Sequence, residues 1–169
     1  MPKVILQPAG SGEVAAHFKN TILNPVSLHR CAQFLSPPDI AELAEIYGRD
    51  GTRVWGVMPG EGFRNKSKWE LIDPGDAVLF CGKGEVFAHA FVKHKLHNRG
   101  LATDLWGKDK KGRTWEYIYF VSAPLTHSIN YGRLAGAIGF APDFVVLGFM
   151  VLNEERSGRV LHEFNLADD

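Results

Sequence analysis

Residues 75–96, GDAVLFCGKGEVFAHAFVKHKL, set the fold class. Ala77–Cys81 is a continuously apolar run, the pattern of a strand buried on both faces. Gly82-Lys83-Gly84 then reads as a tight turn, and Glu85–Leu96 as the antiparallel partner. Just upstream, Asp73-Pro74-Gly75-Asp76 is a turn whose carboxylates suit backbone capping better than acid–base chemistry. Downstream, RTWEYIYFVS (113–122) is a third strand, dense in aromatic and β-branched residues.

Away from this hairpin the period alternates. Ser36 is a helix N-cap, Pro37 suits the first helical position, and Asp39 complements the first turn. Ile40, Leu43, Ala44 and Tyr47 form the apolar stripe, and Gly48 ends it. Thr52–Val57 is strand-like and stops at Pro59-Gly60. Residues 62–76 hold a short helical turn. Residues 130–140 read as a short helix, 144–152 (FVVLGFMVL) as a last strand, and 154–164 as a helix or an irregular end weakened by Gly158. Val14–Lys19 is expected to be a first strand. Residues 1–13, rich in Pro, Gly and Ser, are expected to be a flexible tail. The pattern predicts an α+β domain over residues 14–169, built on a small twisted sheet or barrel with peripheral helices.

The chain has 169 residues, enough for one cored domain. Nineteen basic residues balance nineteen acidic ones, so net charge gives no argument for a nucleic-acid partner. Local charge does. Lys93, Lys95, Arg99, Lys108, Lys110, Lys111 and Arg113 fall in one window, opposed only by Asp104 and Asp109. The window reads either as a solvated hairpin or as a phosphate-contacting loop. Cys31 and Cys81 lie in apolar surroundings without a CxxC partner, as expected of reduced thiols in the cytoplasm. No signal peptide and no apolar run near the roughly 20 residues of a membrane span is visible.

Catalytic motifs are missing: there is no GxSxG, HExxH, P-loop or GxGxxG. His94 and His97 form an HxxH pair, but on a strand they point to opposite faces. No metal and no cofactor is expected. A small-molecule enzyme or sensor would have to use Cys81 or His89.

Four tryptophans remain to be explained. Trp69 and Trp115 read as structural rings. Trp55, in RVWGVMPG (53–60), stands beside Gly56 at a strand end. Trp106, in DLWGKDKKG (104–112), lies inside the basic window. A rigid aromatic ring at the edge of a lysine-rich loop fits a site that stacks a base and holds its phosphates.

The ordered series VWG, Asn65, Trp69, Ile72, PGD, VLF, then LWG and TWEYIYF resembles the EVE-type members of the PUA-like superfamily over residues 14–152. That resemblance implies a small twisted β-barrel with helices around it. EVE-like domains in turn resemble YTH domains, which hold a methylated adenine in an aromatic cage. Some stand at the N-terminus of McrBC-type restriction proteins and read a modified base flipped out of DNA. Carried onto this chain, the resemblance implies Trp55, Gly56 and Trp106 as base-binding residues: the two rings would sandwich the base, and Gly56 would leave the backbone open to its edge. Asn20 and Asn24, four apart in KNTILNPVSL, would read the purine edge, since an amide offers both donor and acceptor. Lys95, Arg99, Lys108, Lys110, Lys111 and Arg113 would hold phosphates. The expected partners are modified double-stranded DNA and the other subunits or domains of a restriction complex. The two asparagines favour 6-methyladenine over a 5-modified cytosine. A module for a modified or unpaired RNA nucleotide is the alternative within the superfamily. An interaction module whose tryptophans are all core is the alternative outside it. A helix-bearing insertion over roughly residues 30–50 separates Asn24 from Trp55 and departs from the YTH pattern.

Overall fold

The computed structural model describes residues 1–168. Its centre is the expected hairpin, β3 (Ala77–Gly82) and β4 (Glu85–His97). Lys83 and Gly84 turn it, both at positive φ (+54° and +82°), the geometry a two-residue turn needs to match strand twist. β4 is 13 residues long and organises the rest. β5 (Tyr117–Val121) pairs with its second half and β6 (Leu125–Asn130) with its first, along the edge opposite β3. β2 (Val54–Val57) adds outside β5. On the other side, β1 (Val4–Pro8) lies parallel to β3, and the two-residue β7 (Met150–Val151) closes that edge.

The main path is β2-β5-β4-β3-β1-β7, with β6 on β4. The α+β class and the surrounding helices are therefore as expected. Closure is not: β2 and β7 end the path without pairing to each other, so the expected β-barrel is an open mixed sheet.

Three other expectations are corrected. Val4, Ile5 and Leu6 are completely buried, so residues 1–13 are not a tail. Their three-residue apolar run supplies an inner strand between β3 and β7. Val14–Lys19 is not a strand but the junction of α1 (Gly12–His17) and a π-helix (Phe18–Leu23). Val14, Phe18 and Ile22 recur every four residues, so a helical face buries them. Of the strand expected at 144–152, only Met150 and Val151 pair.

Strand alternation gives the sheet two apolar faces. Ile5, Trp55, Val78, Phe80 and Tyr119 share one with Phe18 and Ile22. Leu6, Leu79 and Cys81 share the other, under α6 (Tyr131–Ile138) and α7 (Glu154–Glu163). A third cluster, around Val54, Ile118 and Phe120, is roofed by α2 (Leu28–Ala32), α3 (Pro37–Tyr47) and α5 (Arg99–Trp106). α3 matches its sequence signals: the Ser36 hydroxyl accepts from the Asp39 amide, and Gly48 ends it at φ +58°. The short α4 (Arg64–Glu70) follows a single 3-10 turn, Glu61–Phe63.

Candidate nucleic-acid interface

One end of the β2–β5–β4 ladder gathers most of the predicted residues. Val57 and His97 both stand opposite Tyr117. The loop after β2, the start of α5 and the segment entering β5 therefore leave the sheet together.

Successive strand residues point to opposite faces. Trp55 points into the core at 1% exposure, edge-on to Phe80 with ring centroids 5.5 Å apart and to Phe18 at 6.5 Å. Gly56 faces the other way. A Cβ there would fall 2.6 Å from Cζ3 of Trp106 and 2.2 Å from the Trp115 carbonyl oxygen. Two corrections follow. Trp55 and Trp106 are not facing walls of one slot, because the β2 backbone lies between them. The bare surface of Gly56 is covered by the Trp106 ring rather than open.

Trp106 closes α5, whose first turn is capped by the Asn98 side chain, and Gly107 stops the helix at φ +77°. Around the partly buried Trp106 stand two rings that the sequence reading did not assign to the site. His17 lies 5.6 Å from Trp106, tilted by 33°, and meets Trp115 edge-on at 4.4 Å. Burial lowers the His17 pKa to about 4, so the imidazole is neutral at physiological pH. Its sequence context, VAAHFK, gave a signal only once read as helix. Trp69, by contrast, is structural as expected: its indole donates to the Ile118 carbonyl at 3.1 Å. Among the described residues, only the indole N–H groups of Trp55 and Trp106 are buried side-chain polar groups without a protein partner. Such orphaned donors are uncommon in native structures.

The two asparagines belong to the π-helix beside this cluster. Thr21 ties that helix to β2 by donating to the Val54 carbonyl at 2.6 Å, and Arg53 donates to the carbonyls of Ile22 and Leu23. The inward side chains are Phe18, Thr21 and Ile22. Asn20 and Asn24 are exposed, and the Asn24 amide donates to the Lys19 carbonyl at 2.7 Å, ending the π-helix. Neither amide hydrogen-bonds to the indole of Trp55 or Trp106.

The predicted phosphate contacts divide. The Lys95 ammonium donates to the carbonyls of Glu70 (3.0 Å) and Trp69 (3.2 Å) and lies 4.7 Å over the Trp69 ring. Arg99 binds the buried Glu116 carboxylate at 2.6 Å and the Gly112 carbonyl at 3.2 Å. Arg113 closes a turn on Asp109, whose carboxyl is held below its usual range by hydrogen bonds, the Arg113 backbone N–H first. Lys108, Lys110 and Lys111 are exposed and form no ion pair with the described residues. They follow directly on Trp106.

A feature passed over in the sequence is Phe63. It is 60% exposed at φ +58°, a conformation that costs a bulky residue of order 1 kcal/mol. The flanking Gly60 and Gly62, also at positive φ, were the available signal.

Other chemistries find less support. Burial pushes the Cys81 thiol up to about 12, so it is no thiolate nucleophile at neutral pH. His89 abuts His127, and burial lowers its pKa to about 4. His94 and His97 diverge as expected, to Asp39 (2.9 Å) and Glu116 (2.8 Å). Among the described residues no group of three His, Cys, Asp or Glu side chains could hold a metal. Among the described residues no helix is long and apolar enough to cross a membrane.

No sequence family and no curated protein matches the chain. A solved structure does. The chain superposes on the N-terminal domain of Thermococcus gammatolerans McrB bound to m5C DNA, with a TM-score of 0.69 at 18% identity. The match spans 96% of this chain and 97% of that one. The fold is that of the McrB N-terminal domain, in line with the resemblance read from the sequence.

Proposed function

We propose that this domain is a non-catalytic reader of modified bases in DNA, serving as the targeting module of a restriction system. The observation that carries the reading is Trp106: a partly buried indole with an unpartnered N–H, seated on a glycine and followed in the chain by three exposed lysines. The likeness to a domain bound to m5C DNA supports DNA over RNA.

In this reading the target base leaves the duplex and slides beneath the Trp106 ring, which lifts from Gly56. The base then lies between the indole and the β2 backbone, with His17 and Trp115 at its sides. Trp55 holds β2 from the core face. Stacking on an aromatic ring contributes about 1–3 kcal/mol per base. Burying a methyl adds roughly 0.8 kcal/mol. Together these offset the few kcal/mol that extrusion costs, and Lys108, Lys110 and Lys111 add phosphate contacts. The Asn24 amide donates to the Lys19 carbonyl, which removes that donor from a purine edge. 5-Methylcytosine becomes the first base to test.

The test is anisotropy titration against labelled duplexes that are unmodified, 5-methylcytosine-containing or 6-methyladenine-containing, with an RNA duplex alongside. The modified DNA should bind at least about tenfold more tightly than its unmodified twin. Equal affinity for all DNA duplexes removes the modified-base reading, and preference for RNA moves the function to the RNA alternative. Trp106→Ala should erase the discrimination while leaving a folded protein.

A further inference from the structure

We propose that Phe63 is a wedge that enters the DNA stack at the gap an extruded base leaves. This rests on the DNA reading above and assigns a residue outside the base-holding cluster.

A flipped base leaves its neighbours unstacked, and proteins that deform DNA commonly fill such steps with an apolar side chain. Phe63 has the required properties. Its ring is 60% exposed although it belongs to a short, well-ordered loop. The loop is fixed by hydrogen bonds from the Phe63 amide to the Gly60 carbonyl (3.1 Å) and from the Asn65 and Lys66 amides to the Pro59 carbonyl (3.0 and 3.2 Å). The Ser67 hydroxyl donates to the Phe63 carbonyl at 3.3 Å. The aromatic side chain is thus presented by a rigid frame, and its left-handed backbone is one that glycine would occupy more readily. Nothing in the fold needs the ring: it belongs to none of the apolar clusters.

Position and charge point to a nucleic acid as its occupant. The loop follows Val57, so it leaves the same end of the ladder as the Trp106 segment and its lysines. Arg64 and Lys66 flank it, the latter with its ammonium 5.8 Å from the Phe63 ring. Their carboxylate neighbours, Glu61 at 3.9 Å and Glu70 at 3.8 Å, form exposed, loose pairs. Pairs of that kind yield readily to phosphates. An exposed apolar tip with a cation near its ring, on a loop that leaves the same end of the ladder as the base-holding cluster, is the arrangement a wedge needs.

Phe63→Gly separates the wedge from the fold, since glycine adopts the observed φ without strain. The variant should melt no lower than the unaltered protein. Its affinity for a 5-methylcytosine duplex should fall about tenfold or more. Its affinity for the same modified sequence as a single strand, which has no stack to fill, should change less than about twofold. The fluorescence rise of 2-aminopurine placed beside the target base should shrink with it. Phe63→Trp should keep both duplex affinity and signal. Unchanged duplex binding by Phe63→Gly overturns the wedge, as does an equal loss on duplex and single strand. Either result leaves the base reading standing. Failure of the unaltered protein to distinguish modified from unmodified duplex instead strikes the reading on which the wedge rests.

Discussion

The basic segment from Lys93 to Arg113 falls into two halves with opposite fates. In the first, on β4 and the start of α5, each cation is engaged internally: Lys93 by Asp168, Lys95 by two carbonyls and an indole, and Arg99 by Glu116. In the second, beyond Trp106, three lysines point into solvent. The sequence window makes them look alike. What separates them is the supply of acceptors: neighbouring strands and helix ends place carbonyls and carboxylates within reach of the first group, whereas the loop's one carboxylate, Asp109, is taken by Arg113.

Removing the acceptor that defines the first half should have the largest effect. Glu116 is 7% exposed and holds both Arg99 and His97. Glu116→Ala should cost roughly 2 kcal/mol of unfolding free energy in urea titration, discounted from a fully buried pair because both partners are half exposed. Full retention of stability would mean that the first half is as free as the second.

The second half should fail in binding instead. Lys110→Ala with Lys111→Ala should leave stability within about 0.5 kcal/mol. The slope of log affinity against log salt should become shallower by up to about 1.8, two phosphate contacts' worth. A smaller contrast comes from Lys95→Met, which should cost about 1 kcal/mol of stability and leave the salt slope unchanged. If the slope changes, Lys95 reaches DNA after all.

A pH dependence is expected within the aromatic cluster as well. Burial lowers the folded pKa of His17 to about 4, against an ordinary 6.5. The unfolded chain therefore binds the extra proton first. Stability from the neutral ring is complete above about pH 6.5 and is lost as pH falls toward 4. His89 acts in the same direction. Urea midpoints at pH 7 and pH 5 should differ less in His17→Gln than in the unaltered protein.

How much of this was readable beforehand depends on the distance over which a residue finds its partners. The β3–β4 hairpin and α3 carry their own turns, caps and stripes, so the sequence reading located them closely. β1 carries only three apolar residues, and its partners begin at Ala77 and Met150. Nothing local distinguishes it from a tail. α5 was hidden because Gly100 and the surrounding charges mask its short stripe. The site was half legible. The resemblance selected Trp55, Gly56 and Trp106, and the two tryptophans are the ones with orphaned indole N–H groups. Period-two alternation already implied that residues 55 and 56 face opposite ways. The sandwich expected from Trp55 and Trp106 conflicted with it, and the structure follows the alternation.

β1 also governs when the molecule can be completed. It is the first strand to be synthesised, yet it pairs with β3, 73 residues later, and Leu152 then donates to the Val4 carbonyl while Val4 donates to the Ser157 hydroxyl. At ordinary elongation rates, β3 follows β1 by roughly 4–15 s. An apolar strand therefore waits unpaired on the ribosome, and the last bonds to it form only once residues 152–157 have been made. Slow, long-range closure of this kind exposes the nascent chain to misassociation. The opening residues, which look dispensable, thus set the slow step in making the domain.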